Sequence, residues 1–320
     1  MISAPIVITD KMVEDLCPVR PSSGHKGMFG RALIYAGSVG MGGAAVMAVS
    51  SALRSGAGLV YAATEEPLLP ALVIRCPEAL GIPIPSGFGN APKSPLMRME
   101  SKTVGQKWLT EIIEGKDACL IGPGIPPDRQ DLRIAVLTLA QHACHLVLDA
   151  GALALLSRDP ELMQEIKNRK EKGMAPAVLT PHLGEFASLC SSYSRTGGTS
   201  MQNMKAAGAF AEEKGVILVL KSNETNIFTP DGKWYSNPVS NSGLAKGGSG
   251  DVLAGLLSGL LAQGMREEDA SVCAVRIHSL AGRLCSGEHG KRAMLPTMLW
   301  EYYDRCFKML KWEEGMENDG

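Results

Sequence analysis

The chain has 320 residues, 45% of them hydrophobic, and a formal net charge of −1. That is enough to bury the core of one large α/β domain or two ordinary ones, and the near-neutral balance excludes a broad electrostatic claim on nucleic acid or an anionic membrane. Eight scattered cysteines without a C-x-x-C pair argue against a disulfide framework or a structural zinc site, and for inert thiols in a reducing cytoplasm. The first residues carry no cationic-then-apolar signal pattern. No apolar run is long enough to span a bilayer, since Arg54 interrupts the longest alanine-rich stretch.

Residues 1–24 read as an irregular arm with one short helix, Thr9 to Leu16, ended by Pro18 and Pro21. From 25 to 312, strand-like runs alternate with helical patterns in what reads as one domain. Ala32–Ala36 is a buried strand, Gly40–Gly43 a turn, and Ala44–Arg54 a small-residue helix stopped by Gly56-Ala57-Gly58; Leu59–Thr64 is the next strand. Residues 85–107, rich in Pro, Gly, Ser and Lys, read as a surface insertion. Ala118–Ile121, Leu146–Leu148, Ala177–Leu179 and Val216–Leu220 are further short strands, with helical patterns such as Met201–Lys214 between most of them. Thr225–Phe228 and Lys233–Tyr235 flank Pro230-Asp231-Gly232, a hairpin pattern. Residues 313–320 form an acidic tail expected to fray. The alternation predicts an α/β fold: three layers, a mainly parallel central sheet flanked by helices, with an antiparallel edge.

The segment Asn241 to Gly255 carries the clearest chemistry. Around Ser249, residues Gly247, Gly248 and Gly250 let backbone N–H groups approach an anion closely, because no Cβ intervenes. The helix pattern that follows would add its free amides and the positive end of its dipole. Asp251 would repel a phosphate there, unless it serves as base for the group that attacks it. The combination points to phosphoryl transfer onto a hydroxyl. Other segments stay open between function and structure. His25–Gly30, Ala36–Ser38 and Gly40–Ala45 are glycine-rich loops that suit a ligand or tight packing. Gly122-Pro123-Gly124 exposes backbone after a strand, or is a plain turn. His182 sits on a loop after Pro181, with Glu185 placed either to cap a helix or to face magnesium or water. Lys221-Ser222-Asn223-Glu224-Thr225 follows a strand with a phosphate-countering lysine or a merely solvated one, and Asp149 faces a cleft or caps a helix.

Taken together and in order, HKGMFG, GGAAVMAVSSALRSGAG, IGPG, LTPHLGEF and NSGLAKGGSGDVLAGLLSGLLAQG resemble the ADP-dependent (S)-NAD(P)H-hydrate dehydratases of the ribokinase-like superfamily, from about His25 to Leu284. The resemblance implies a three-layer ribokinase-like fold and repair of hydrated NADH or NADPH: ADP phosphorylates the hydroxyl that water added to the nicotinamide ring, phosphate is eliminated, and AMP is released. It implies Mg2+ at the phosphates, with ligands unknown. It assigns substrate contacts to Ala44, Gly124, His182 and Asp251, and AMP contacts to Lys221, Ser222, Asn223, Glu224, Thr225 and Gly250. It also implies a homo-oligomer, a tetramer being one form, and a separate epimerase, since the N-terminus is too short for a fused one. Three positions depart from the family pattern: Ser222 replaces a glycine, Leu183 a proline, and Gly151 the second acid of DADAL. Two other readings compete. A ribokinase-like small-molecule kinase would give a stable phosphorylated product, and a nucleotide-binding module would turn nothing over.

Overall fold

The computed structural model describes residues 4–84, 105–194 and 199–313. In chain order the elements are β1 (Ile6–Val7), α1 (Asp10–Glu14), β2 (Arg31–Tyr35), α2 (Gly42–Arg54), β3 (Leu59–Glu65), α3 (Leu69–Arg75), β4 (Leu80–Ile84), the helical residues 105–113 (α4), β5 (Ala118–Ile121) and α5 (Gln130–His142). They continue as β6 (His145–Leu148), α6 (Gly151–Leu156), α7 (Pro160–Glu171), β7 (Val178–Leu179), α8 (Leu183–Leu189), α9 (Met201–Lys214), β8 (Ile217–Leu220), β9 (Thr225–Phe228), β10 (Trp234–Asn237), α10 (Ser249–Ala262), α11 (Glu267–Ala293) and α12 (Tyr303–Met309).

Among the described residues, ten strands form one sheet in the order β1-β10-β9-β8-β7-β6-β5-β2-β3-β4. The seven strands from β4 to β8 are mutually parallel. The β9–β10 hairpin is antiparallel, as its Pro-Asp-Gly turn predicts, and β9 is also antiparallel to β8. The central strands are apolar on both faces because helices cover both. Alternate residues of one strand therefore enter different cores. Ala32 and Ile34 pack with Ala48, Val252, Leu256 and Ile277 of α2, α10 and α11. Leu33 and Tyr35 pack with Leu132, Leu139, Ile166 and Phe210 of α5, α7 and α9.

One feature of the packing places the site, and a second closes the opposite edge of the sheet. First, α2 and α10 lie side by side in the same direction. A Cβ on Gly255 would fall 2.1 Å from the Ala48 carbonyl oxygen, and one on Gly259 1.9 Å from Ser55 Oγ. Only glycine permits that approach, and it brings the N-termini of both helices to one edge of the sheet. Second, Arg169 is wholly buried. It donates to the carbonyls of Ala140, Ala143, Cys144 and Ala175 at 2.9–3.0 Å and so closes the C-terminal end of α5.

Most predicted strands fall within a residue or two of their observed bounds. The first helix is shorter than Thr9–Leu16, but Thr9 does cap it, accepting from the Met12 N–H at 3.2 Å. The periodicity gave no sign of β1, α3, β4 or α11, which breaks at Gly290 (φ 72°, ψ 152°). The insertion expected at 85–107 lies outside the described residues as far as 104, and 105–107 belong to α4; of the tail, 314–320 likewise lie outside.

Candidate active site

Parallel strands end together, and a ligand site forms where their carboxyl-end loops meet. Here β2 is followed by Gly37 to Ala44, β5 by Gly122 to Gly124, β6 by Asp149, β7 by Thr180 to His182, and β8 by Lys221. The loop before α10 adds Gly247 to Asp251 at the same edge.

Ala44 and Gly124 meet directly. Gly124 has φ +65°, and a Cβ there would lie 2.7 Å from the Ala44 Cβ and from the Met41 carbonyl oxygen. Ser38 Oγ donates to the Gly124 carbonyl at 2.8 Å, which fixes the turn. The glycine at 151, where the family pattern has an acid, is sterically required: a Cβ would fall 1.8 Å from the Ile125 carbonyl oxygen. Ala150 before it holds φ 45°, ψ −114°, a strained conformation for a non-glycine residue.

Lys221 forms the charged centre. Its ammonium donates to Asp149 Oδ1 at 2.8 Å, and the same oxygen accepts from Thr180 Oγ1 at 2.8 Å. Asp149 is 1% exposed. Lys221 Nζ lies 3.0 Å from the place a Gly250 Cβ would take, so glycine there lets α10 close onto the lysine. Burial works against the ammonium, but the charges of Asp149, Glu185 and Asp251 prevail and raise its pKa. Asp251, in the first turn of α10, is pushed up to about 6 by burial first, then by the charges of Asp149 and Glu185, with Lys221 opposing.

His182 caps α8. Its Nδ1 accepts from the N–H groups of Gly184 at 3.0 Å and Glu185 at 3.2 Å, while Glu185 Oε2 accepts from the His182 N–H at 2.8 Å. This is a complete capping box. Two N–H groups aimed at Nδ1 put the ring proton on Nε2, which is then a donor on a side chain 61% exposed. A single bridge places His182 beside Lys221.

In the pentad, Ser222 has no positive φ, so the replaced glycine is not needed for a left-handed backbone. Its hydroxyl donates to the Glu224 carbonyl at 2.5 Å and accepts from the Glu224 N–H at 3.2 Å. Asn223 and Glu224 are exposed, and Thr225 opens β9. In the cradle, Gly248 has φ +100°, and a Cβ would strike Met47 Sδ; Gly247 has open space around it. The first turn of α10 has no side-chain cap; the Ser249 N–H donates to the Lys246 carbonyl at 3.2 Å, and the Gly250 amide stays free.

The block His25–Gly30 does not join these residues. It precedes β2 at the amino edge, where a Gly30 Cβ would meet the carbonyl of Ala262 at the far end of α10. Eleven residue steps along α10, from Asp251 to Ala262, separate that end from Asp251, about 16 Å. Sequence reasoning left Asp149 undecided and missed His278, which is 8% exposed. The His278 Nε2–H donates to the Ser249 carbonyl at 3.1 Å from α11. Burial lowers its pKa to about 4, aided by Lys221 and opposed by that hydrogen bond, so the ring is neutral. Lys246 is an anchor rather than an anion contact: it donates to the carbonyls of Arg292 and Met294 at 2.6 and 2.5 Å.

The family model described as NAD(P)H-hydrate dehydratase matches residues 32–305. An ADP-dependent (S)-NAD(P)H-hydrate dehydratase of Bacillus subtilis is 33% identical over 94% of this chain and 97% of its own length. A bifunctional NAD(P)H-hydrate repair enzyme of Moorella thermoacetica is 33% identical over 92% of this chain, which spans only 52% of that protein. The crystal structure of the Bacillus subtilis ADP/ATP-dependent NAD(P)H-hydrate dehydratase, co-crystallised with ATP and Mg2+, superposes with a TM-score of 0.76 at 31% identity, covering 96% of this chain and 98% of that one.

Proposed function

The chain belongs to the NAD(P)H-hydrate dehydratase family, and from that premise we propose how its carboxyl-edge cleft does the work. The fold is ribokinase-like, and the activity is the ADP-dependent dehydration of the (S)-hydrate of NADH or NADPH, a hydro-lyase reaction. The observation that carries the assignment of roles is one half-buried carboxylate, Asp251, at an uncapped helix N-terminus and under the influence of Lys221.

Hydroxide leaves poorly, so the hydrate's hydroxyl is first phosphorylated. Asp251 takes the hydroxyl proton as that oxygen bonds to the β-phosphorus of ADP and the bond to AMP breaks. A base with a pKa of about 6 is ionised at neutral pH and still accepts a proton readily. The amides of Gly247, Gly248 and Gly250 donate to the phosphoryl oxygens, the Ser249 N–H being held by the Lys246 carbonyl, and the α10 dipole favours the phosphate charge. Lys221 balances charge on the nucleotide, whose AMP portion lies along Ser222, Asn223, Glu224 and Thr225. The ring of the hydrate rests on Ala44 and Gly124, with the His182 Nε2–H donating to it. Loss of phosphate and of a proton from the neighbouring ring carbon then restores the double bond.

Three carboxylates, Asp149, Glu185 and Asp251, share one lysine, a surplus of negative charge that suits a divalent cation. Among the described residues no three His, Cys, Asp or Glu side chains group as a cage. Glu185 and Asp149 are the residues that would hold a Mg2+ arriving on the phosphates. When bound, it would neutralise phosphate charge.

We further propose a homo-oligomer, a cytoplasmic location, and a separate epimerase that supplies the (S)-hydrate. The catalytic unit is residues 25–312. The test supplies hydrated NADH and ADP to the folded protein and follows the return of nicotinamide absorbance. A stable phosphorylated product would favour the small-molecule kinase; no recovery with ADP or ATP refutes the dehydratase.

A further inference from the structure

Lys246 directly precedes the cradle glycines, where a cation would be expected to meet the phosphates, yet its ammonium is held elsewhere. It donates to the carbonyls of Arg292 and Met294 at 2.6 and 2.5 Å. Those carbonyls lie at the end of α11, where the last turn leaves its C=O groups without helical partners and the dipole is negative. The chain reaches them through the break at Gly290, whose φ 72°, ψ 152° is a conformation essentially reserved for glycine. The same helix holds the rest of the loop. Asn241 Nδ2 donates to the Gly282 carbonyl at 2.8 Å and to Ser286 Oγ at 3.2 Å, and Asn241 Oδ1 accepts from the Gly243 N–H at 2.9 Å. His278 holds the Ser249 carbonyl. Residues 278, 282 and 286 are spaced four apart and so share one face of α11. The fit is close: a Cβ on Gly243 would strike Met294 Sδ, and one on Gly282 would lie 2.9 Å from Leu244 Cδ2.

Glycines have the widest choice of backbone conformation, so amides that must meet a transferring phosphoryl group need support from outside the cradle. The loop from 241 to 249 finds it on α11 at three points, and Lys246 is the one next to Gly247. We propose that Lys246 is a positioning residue: clasped to the last carbonyls of α11, it fixes the amides of Gly247, Gly248 and Gly250 for phosphoryl transfer and does not itself contact the phosphates. The inference rests on the dehydratase reading of the cleft. Misplacing such donors by about 1 Å costs about 10²-fold in rate. Ground-state binding of the nucleotide, which falls to Lys221 and residues 222–225, changes little, so the loss appears in the rate and not in affinity.

The test measures single-turnover recovery of NADH from its hydrate at saturating ADP, together with the dissociation constants of ADP and AMP at low and high salt. Lys246→Met is expected to slow recovery about 10- to 100-fold, with both dissociation constants within about threefold of wild type and the salt dependence of ADP binding unchanged. Lys246→Arg keeps the donors and should stay within about threefold of the wild-type rate. Gly290→Ala moves the accepting carbonyls without touching a charge, and should slow recovery in the same way. A wild-type rate in Lys246→Met overturns the proposal. So does a loss of ADP affinity above about tenfold with AMP binding intact and a flatter salt dependence, the signature of an ammonium on the β-phosphate. Where Lys246→Met fails to bind AMP, and so to fold, Gly290→Ala decides by the same readouts. If the wild type itself recovers no NADH, the dehydratase reading has failed instead. The salt dependence of ADP binding in Lys246→Met then decides whether Lys246 meets the phosphates.

Discussion

Replacing Asp251 with asparagine should make the protein more stable at neutral pH. The Asp251 carboxyl ionises near 3.8 when exposed but at about 6 in the fold. The folded state therefore holds a proton that the unfolded chain has released between those values, so stability falls as pH rises through that window. The shift of roughly two units corresponds to about 3 kcal/mol at 1.36 kcal/mol per unit. All of it is lost above pH 6 and none below 3.8. The asparagine of the variant carries no charge and escapes the loss. With an unfolding entropy of about 2.1 cal/mol/K per residue, that gain raises Tm by roughly 4–5 °C at pH 7 for a chain of this length. The assay is calorimetric melting of wild type and Asp251→Asn from pH 7.5 down to pH 4. The advantage should shrink steadily on acidification and nearly vanish at pH 4. A variant that melts at or below wild type at pH 7, or whose advantage ignores pH, refutes the half-buried, repelled carboxylate.

The same carboxyl sets an acid limb in kcat/KM. Activity should drop about tenfold per unit below pH 6, and Asp149→Asn should move the limb down by about one unit or less, since burial is the larger cause; a limb that stays put contradicts the charge coupling. Gly255→Ala should cost roughly 1–3 kcal/mol in urea denaturation by forcing α10 off α2. Arg169→Met strands several buried carbonyls, at about 1–3 kcal/mol each, and should destabilise by at least about 3 kcal/mol in the same assay.

The route from residues to site was short where chemistry and strand ends coincide. Apolar runs followed by Gly122, His182 or Lys221 mark parallel strands and their carboxyl-end loops at once, and the glycines before Asp251 announce a backbone cradle. Other features leave no such trace. Asp149 looks like any acid at a strand end until the fold sets Lys221 beside it from residues far along the chain. His278 and Arg169 lie in helices whose pattern offers no reason for a buried polar group; their partners are carbonyls, which every residue has. His25–Gly30 was grouped with the loops that follow strands, although it precedes β2 and so lies at the opposite edge. Glu185 was open between a cap and a metal contact. The capping box engages one of its oxygens, and its charge still reaches both Asp251 and Lys221.

The central claim is that Asp251 removes the hydroxyl proton during phosphoryl transfer. Its most direct test is single-turnover recovery of NADH from its hydrate with ADP by Asp251→Asn, alongside AMP affinity in the same preparation. The account predicts a rate lower by about 10²–10⁴, with AMP binding within a few-fold of wild type. A variant that restores NADH at a wild-type rate would contradict it.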